Sequence, residues 1–336
     1  MFEQLGLIGC GLMGGSFALA MKKAGLVKRV VGYSKSPSTT ETARRMGVID
    51  IAAESALLAV SGSDIVLLAV PVAATEATLK AIRHLAAPDV LMMDVGSTKT
   101  DVVEAATRAL GKQVGCFVPA HPIAGKESAG VQHADANLYQ GRQVILTPLP
   151  QTVPALVQKA TDVWSALGCQ VLKMAPHHHD AAFAAVSHLP HLLAFALVDM
   201  LAGMPRADQY FNYAASGFRD FTRIAAGSPE MWRDISAANR GALREQLNAY
   251  RKRLDEFDRW LARANGEDIL AHGRKFSKSF NNADSPWKEV NDPGLHMWKK
   301  TIILQMKSTL PKNSELSRAM EEDFKDSTVN SPMLDA

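Results

Sequence analysis

The sequence predicts an α/β fold, a doubly wound parallel sheet followed by an all-helical domain. Three observations carry this. Short apolar runs alternate with helix-period segments as far as Pro176, the pattern by which successive βαβ units build a parallel sheet. A glycine-rich turn, Gly9-Cys10-Gly11-Leu12-Met13-Gly14, directly follows the first apolar run and opens the first helical segment. Beyond Pro176, helical periodicity continues without strand-like runs between the helices.

In chain order, the strand candidates are residues 5–9, 29–33, 64–70, 90–95, 116–120, 143–147 and 169–174. Residues 14–23 and 153–167 carry apolar positions at helical spacing among charged ones and are the clearest intervening helices. In the second half, 180–204 and 232–264 predict long helices, with Asp180 as the N-cap of the first. The expected organisation is a nucleotide-type domain over 1–176, a helical domain over 177–280 and a tail over 281–336. In the tail, 302–310 and 317–324 are candidate short helices without recognisable chemistry. A chain of 336 residues with 47% hydrophobic content can fill the two cores this requires.

Composition narrows the function classes. Lys plus Arg number 37 against 34 Asp plus Glu, a net charge of +3 with no cationic block, so a nucleic-acid partner is not expected. Cys10, Cys116 and Cys169 are odd in number and far apart, which fits reduced core thiols rather than a disulfide framework. The first residues lack a secretory pattern, and no uninterrupted apolar run reaches the roughly 18 residues of a bilayer span. No membrane partner and a cytoplasmic location are therefore expected.

The glycine motif fits a dinucleotide. Gly9 permits the tight turn, Gly11 lets a pyrophosphate approach the backbone, Gly14 lets helix and strand pack, and the helix N-terminus favours the negative charge. Leu12 and Met13 lie within the motif, and Val70 and Pro71 at the end of the 64–70 strand are further expected cofactor contacts. About 20 residues on, an NAD-binding protein usually places an acid against the ribose. Here the second strand ends in Tyr33-Ser34-Lys35-Ser36. Ser34 and Lys35 can take a 2′-phosphate by hydrogen bond and charge, which tilts the reading toward NADP over NAD; Lys35 as a merely solvated loop lysine is the alternative.

Two segments sit where strands end, the edge at which doubly wound folds bind ligands. They are Asp94-Val95-Gly96-Ser97-Thr98-Lys99 and Ala120-His121-Pro122-Ile123-Ala124-Gly125. His121 can accept a hydroxyl proton while hydride leaves the same carbon, because an imidazole titrates near neutrality. Downstream stand His177-His178-His179-Asp180 and Ser187-His188-Leu189-Pro190-His191. His188 and His191 are spaced for one helix face, yet no matching cysteine or carboxylate set makes a metal site of them. In Gly217-Phe218-Arg219-Asp220-Phe221-Thr222-Arg223-Ile224, Arg219 and Arg223 would lie one turn apart on a helix and suit an acidic substrate, or pair with Asp220 or Asp234.

The order and identity of these six motifs, across residues 3–280, resemble the prephenate/arogenate dehydrogenase family. The resemblance implies a Rossmann-like domain followed by a helical dimerisation domain, and NAD(P)-dependent oxidative decarboxylation of an acidic cyclohexadienol in tyrosine biosynthesis. It implies that His121 takes the ring hydroxyl proton, that Ser97 helps orient hydroxyl and histidine, and that Arg223 binds a carboxylate. It places His191 and His188 on the substrate side of the cleft and makes a homodimer the expected assembly. The competing readings are a two-domain hydroxy-acid dehydrogenase or imine reductase, and a dinucleotide sensor without catalysis.

Overall fold

A computed structural model describes residues 1–126, 128–263 and 266–281. The first sheet and its helices run β1 (Phe2–Ile8), α1 (Leu12–Lys23), β2 (Val27–Tyr33), α2 (Pro37–Arg45), β3 (Ile51–Ala52), α3 (Ala56–Val60), β4 (Ile65–Leu68), α4 (Thr75–Ile82), β5 (Leu91–Asp94), α5 (Thr100–Leu110) and β6 (Phe117–Val118). All neighbouring strands are parallel, in the order β3-β2-β1-β4-β5-β6. Strand order therefore reverses beside β1, and the crevice at the strands' carboxyl ends there is the ligand site of such sheets. Leu5, Leu7 and Ile8 of β1 are at most 2% exposed, as a strand covered on both faces must be. The two-residue edge strand β3 was not expected; Ile51 is exposed there and no apolar run marks it.

The strand expected over 116–120 divides at Pro119. Proline offers no N–H to a ladder, and the next N–H, of Ala120, donates to the Asp94 carboxylate at 2.9 Å. The chain thus leaves the first sheet and forms β7 (Ala120–Pro122), antiparallel to β8 (Gln143–Leu146), which pairs in parallel with β9 (Gln170–Lys173) after α6 (Pro154–Ala166). The end of that expected strand and the last two expected strands accordingly form a separate small sheet. The core reaches the cofactor turn through Phe17, Tyr139 and Trp164, whose rings lie 5.0–6.5 Å apart, while the Tyr139 hydroxyl donates to the Met13 carbonyl at 2.7 Å. All three cysteines are free and buried, with burial raising their thiol pKa values to about 11, 11 and 12.

The helical half begins earlier than expected, with α7 (Pro176–Phe183), a π-helical turn at Ala184–His188 and α8 (Leu189–Ala202). Pro190 cannot supply an interior helical hydrogen bond, which accounts for the wide turn just before it. Then follow α9 (Ala207–Asn212), α10 (Ser216–Thr222), α11 (Pro229–Ala238), α12 (Arg240–Ala262) and α13 (Gly266–Asn281). The helix expected over 232–264 breaks at buried Asn239 between α11 and α12. Asn281 is the last described residue, so the tail helices expected over 302–310 and 317–324 lie outside the described residues.

By compactness the chain divides elsewhere than at 176. One unit holds Met1–Pro205 with Thr222–Arg251; the other holds Arg206–Phe221 and the described residues from Lys252 onward. In the second, Phe257, Trp260 and His272 form an aromatic cluster with ring centroids 5.0–5.8 Å apart. In the first, the helical stretch Pro176–Ala202 is apolar and long enough to cross a membrane by those two measures alone, a property that counting uninterrupted apolar runs did not register. Only 22% of its most apolar window is buried, so much apolar surface stays open.

Candidate active site

The turn after β1 leaves no room for side chains on two of its glycines. Gly9 has φ +100°, and a Cβ there would stand 2.2 Å from the Ala69 carbonyl oxygen; a Cβ on Gly14 would stand 2.0 Å from the Gly9 oxygen. Gly11 instead faces open space, with nothing within 4 Å of such an atom. The N-terminus of α1 has no side-chain cap and no acid in its first turn, so its backbone N–H groups are available to an anion. Leu12 and Met13 lie half-buried at this end, and Val70 and Pro71 follow β4 beside the turn. Ser34 accepts the Cys10 N–H at 2.8 Å, which ties the end of β2 to the glycine turn and leaves its own hydroxyl proton to donate. Its backbone N–H donates to the Thr40 hydroxyl at 2.9 Å, and Lys35 next to it is exposed. An uncapped helix end, an open glycine and a hydroxyl at the ribose position together fit a dinucleotide.

The loop after β5 is fastened by a buried ion pair. Lys99, 0% exposed, meets Asp94 at 2.5 Å and donates to the Ala120 carbonyl at 3.0 Å. The Asp94 carboxylate also accepts the Gly96 and Ala120 N–H groups at 2.8 and 2.9 Å. Ser97 therefore sits on a loop locked to the residue before His121. Nδ1 of His121 lies 2.8 Å from Nε2 of His179, and Nδ1 of His179 lies 2.9 Å from Asp180. Asp180 does not cap its own helix. It lies inside α7, and its two oxygens accept the N–H groups of Lys99 and Thr100, each at 2.8 Å, capping α5 instead.

The other two expected histidines are held from the helical side. Nδ1 of His188 lies 3.1 Å from the Asn239 amide nitrogen, which also donates to the Asp180 carbonyl at 2.7 Å. Nε2 of His188 is buried without a hydrogen-bond partner among the described residues. His191 donates from Nδ1 to the Ser187 carbonyl at 2.9 Å and stacks on Trp232 with ring centroids 3.6 Å apart. Arg223 lies close enough to act on the charge of His191. It opens a tighter 3-10 turn where α10 ends at Thr222, so Arg219 and Arg223 do not share one α-helical face; Arg219 falls in the other compact unit. Among the described residues no three or more His, Cys, Asp or Glu side chains group to hold a metal ion.

Burial, with the Lys99 ammonium behind it, pushes the His121 pKa well below 6.5. Burial likewise lowers His179 and His191, and takes His188 to about 4. All four are neutral at pH 7, as a proton acceptor must be. The unfolded chain would protonate them near pH 6.5 while the folded site does not, so stability is full above that pH and is lost on acidification. His188 alone is expected to account for about 2 kcal/mol between pH 7 and pH 5. Urea midpoints at the two pH values check this; a midpoint that does not fall would mean that the folded protein binds these protons.

Comparison with known proteins identifies two family segments. A family described as "Prephenate dehydrogenase, nucleotide-binding domain" matches residues 17–173, and one described as "Prephenate dehydrogenase, dimerization domain" matches 175–275. Cyclohexadienyl dehydrogenase of Zymomonas mobilis is 33% identical over 280 residues, 83% of this chain and 95% of that one. Prephenate dehydrogenase of Bacillus subtilis is 33% identical, covering 81% of this chain and 74% of its own. The crystal structure of Aquifex aeolicus prephenate dehydrogenase with hydroxyphenyl propionate and NAD+ superposes with a TM-score of 0.77 at 34% identity, over 82% of this chain and 96% of that one. Synechocystis arogenate dehydrogenase superposes with a TM-score of 0.69 at 28% identity, over 82% and 97%.

Proposed function

The chain belongs to the prephenate dehydrogenase family, and from that premise we propose that it oxidatively decarboxylates prephenate, arogenate or both in the formation of tyrosine. The observation that carries the proposal is a neutral, partly buried His121 within a cluster of neutral histidines, in a chain that also carries a dinucleotide-type glycine turn. A nicotinamide dinucleotide held at the Gly9–Gly14 turn would supply the hydride acceptor for the ring carbon that bears the hydroxyl. His121 takes the hydroxyl proton, Ser97 on its locked loop orients that hydroxyl, and the ring carboxylate departs as carbon dioxide while its electron pair aromatises the ring. Arg223 grips a substrate carboxylate by charge-assisted hydrogen bonds, with His191 and His188 lining the same side. The chain's task is alignment, removal of one proton and binding of the substrate's acidic groups until the ring carboxylate leaves.

The finer parts of the reading stand on particular features. The lack of an acid at the end of β2, with a Ser34 hydroxyl that accepts from Cys10 and keeps its own proton, and with Lys35 exposed, supports NADP over NAD. A homodimer is supported by the dimerisation-domain description of 175–275 and by the open apolar surface of α8, which a second copy would cover. We assign the cofactor to 1–176, the substrate and dimer contacts to 177–280, and the enzyme to the cytoplasm. A hydroxy-acid or imine-reducing enzyme of similar build calls for a catalytic lysine, and Lys99 on the sheet-edge loop is fully buried and engaged by Asp94 and Ala120.

The test is initial-rate absorbance of the reduced nicotinamide with prephenate and arogenate, each against NAD and NADP. Turnover is expected, with kcat/KM higher for NADP than for NAD. No turnover in any of the four with folded protein would remove the reading, and a preference for NAD would remove the part assigned to Ser34 and Lys35.

A further inference from the structure

We propose that Asp180 and His179 form a hydrogen-bonded chain that sets the tautomer of His121, holding its proton on Nδ1 and leaving Nε2 as the lone pair that receives the substrate proton. The inference rests on His121 being the base of the proposed reaction, and it assigns His179 and Asp180 as positioning residues that act through it.

The argument runs from the helix end inward. The two Asp180 oxygens accept the Lys99 and Thr100 N–H groups at the start of α5, where the helix dipole also favours an anion. Burial opposes ionisation, but the hydrogen bonds from His179, Thr100 and Lys99 outweigh it and hold the carboxyl below its usual range. An ionised carboxylate only accepts, so Nδ1 of His179, 2.9 Å away, carries a proton. A neutral imidazole has one such proton, which leaves Nε2 of His179 a bare acceptor. That acceptor lies 2.8 Å from Nδ1 of His121, and two lone pairs at this separation would repel. His121 must therefore donate from Nδ1.

Neutrality of both rings is what makes the chain directional, and the groups around them maintain it. Burial and Lys99 lower both rings, His188 also faces His121, and together they outweigh Asp180 and Asp94, which pull His179 toward its charged form. Phe183 fixes the ring planes, stacked on His179 at 4.5 Å and tilted against His121 at 4.8 Å. A free imidazole prefers its proton on Nε2, so without His179 the nitrogen needed as base would be the protonated one. A misassigned tautomer disables a histidine base even when its position is unchanged.

The tautomer is read directly by long-range proton–nitrogen correlation spectra of protein labelled with 15N-histidine at neutral pH, with His121 assigned through His121→Asn. The wild type is expected to show a protonated Nδ1 and a bare Nε2 at His121. In His179→Phe, whose ring keeps the stacking on Phe183, the pattern should reverse, with kcat falling about 10²-fold or more at little change in KM. His179→Gln, whose carboxamide oxygen can still accept from His121, should keep the wild-type pattern and much of the activity, and serves if the phenylalanine variant does not fold. A wild-type His121 protonated on Nε2, or a His179→Phe protein with unchanged pattern and kcat, would overturn the inference. Because the spectrum needs no turnover, a silent assay with the Nδ1 proton in place would count against the proposed reaction and leave the chain standing.

Discussion

Asparagine in place of His121 is expected to lower kcat by about 10²–10⁴-fold, the usual worth of a positioned general base, with KM for the cyclohexadienol nearly unchanged. The carboxamide fills similar space and can hydrogen-bond to His179, so the site should keep its shape. It cannot take up a proton near neutrality, and the hydroxyl proton then has no acceptor as hydride leaves. Substrate affinity should survive because the carboxylate contact is assigned to Arg223 on a different element. Steady-state rates with the better substrate and cofactor pair, alongside the unfolding midpoint, measure this. A variant retaining more than a tenth of the wild-type kcat would show that proton removal is carried by another group.

Methionine in place of Lys99 is expected to destabilise the protein by about 3–5 kcal/mol, the cost typical of removing one partner from a buried ion pair. Asp94 is 2% exposed, and it would keep only the Gly96 and Ala120 N–H groups as donors. The chain packs Lys99 with no exposed surface, so water cannot replace the lost ammonium. The same change unfastens the Ala120 carbonyl beside His121, so kcat should fall along with stability. Urea unfolding gives the first quantity and steady-state rates the second. A loss below 1 kcal/mol would mean that the pair is compensated elsewhere and does not hold the loop.

Much of the site could be read from residue order because its chemistry is carried by local motifs. Gly9, Gly11 and Gly14 take their roles from a turn whose geometry is set within six residues, and the structure gives each the surroundings its spacing predicts. His121 is expected by the same logic just past the end of a strand, but the structure sets it inside β7, the edge strand of the second sheet. The roles of Asp180 and Asn239 could not be read this way. Asp180 looks like a cap of the helix it begins, yet it caps α5, 80 residues earlier in the chain. Asn239, which joins His188 to the Asp180 carbonyl, belongs to no motif at all.

The sequence by itself determined the α/β class, the glycine turn and the family, and it named candidate residues for the reaction, because alternating periodicity and glycine spacing express backbone constraints that act over a few residues. Only the tertiary structure decided where the sheet ends and what surrounds His121. Pro119 looks like part of a strand until the Asp94 carboxylate claims the N–H of Ala120 and turns the chain into a second sheet. The Arg219 and Arg223 pair looks like one helix face until the helix tightens at Thr222. In each case the outcome depends on hydrogen-bond partners and packing supplied by distant segments. Local propensity carries no record of which buried N–H, carboxylate or ring nitrogen will find which partner.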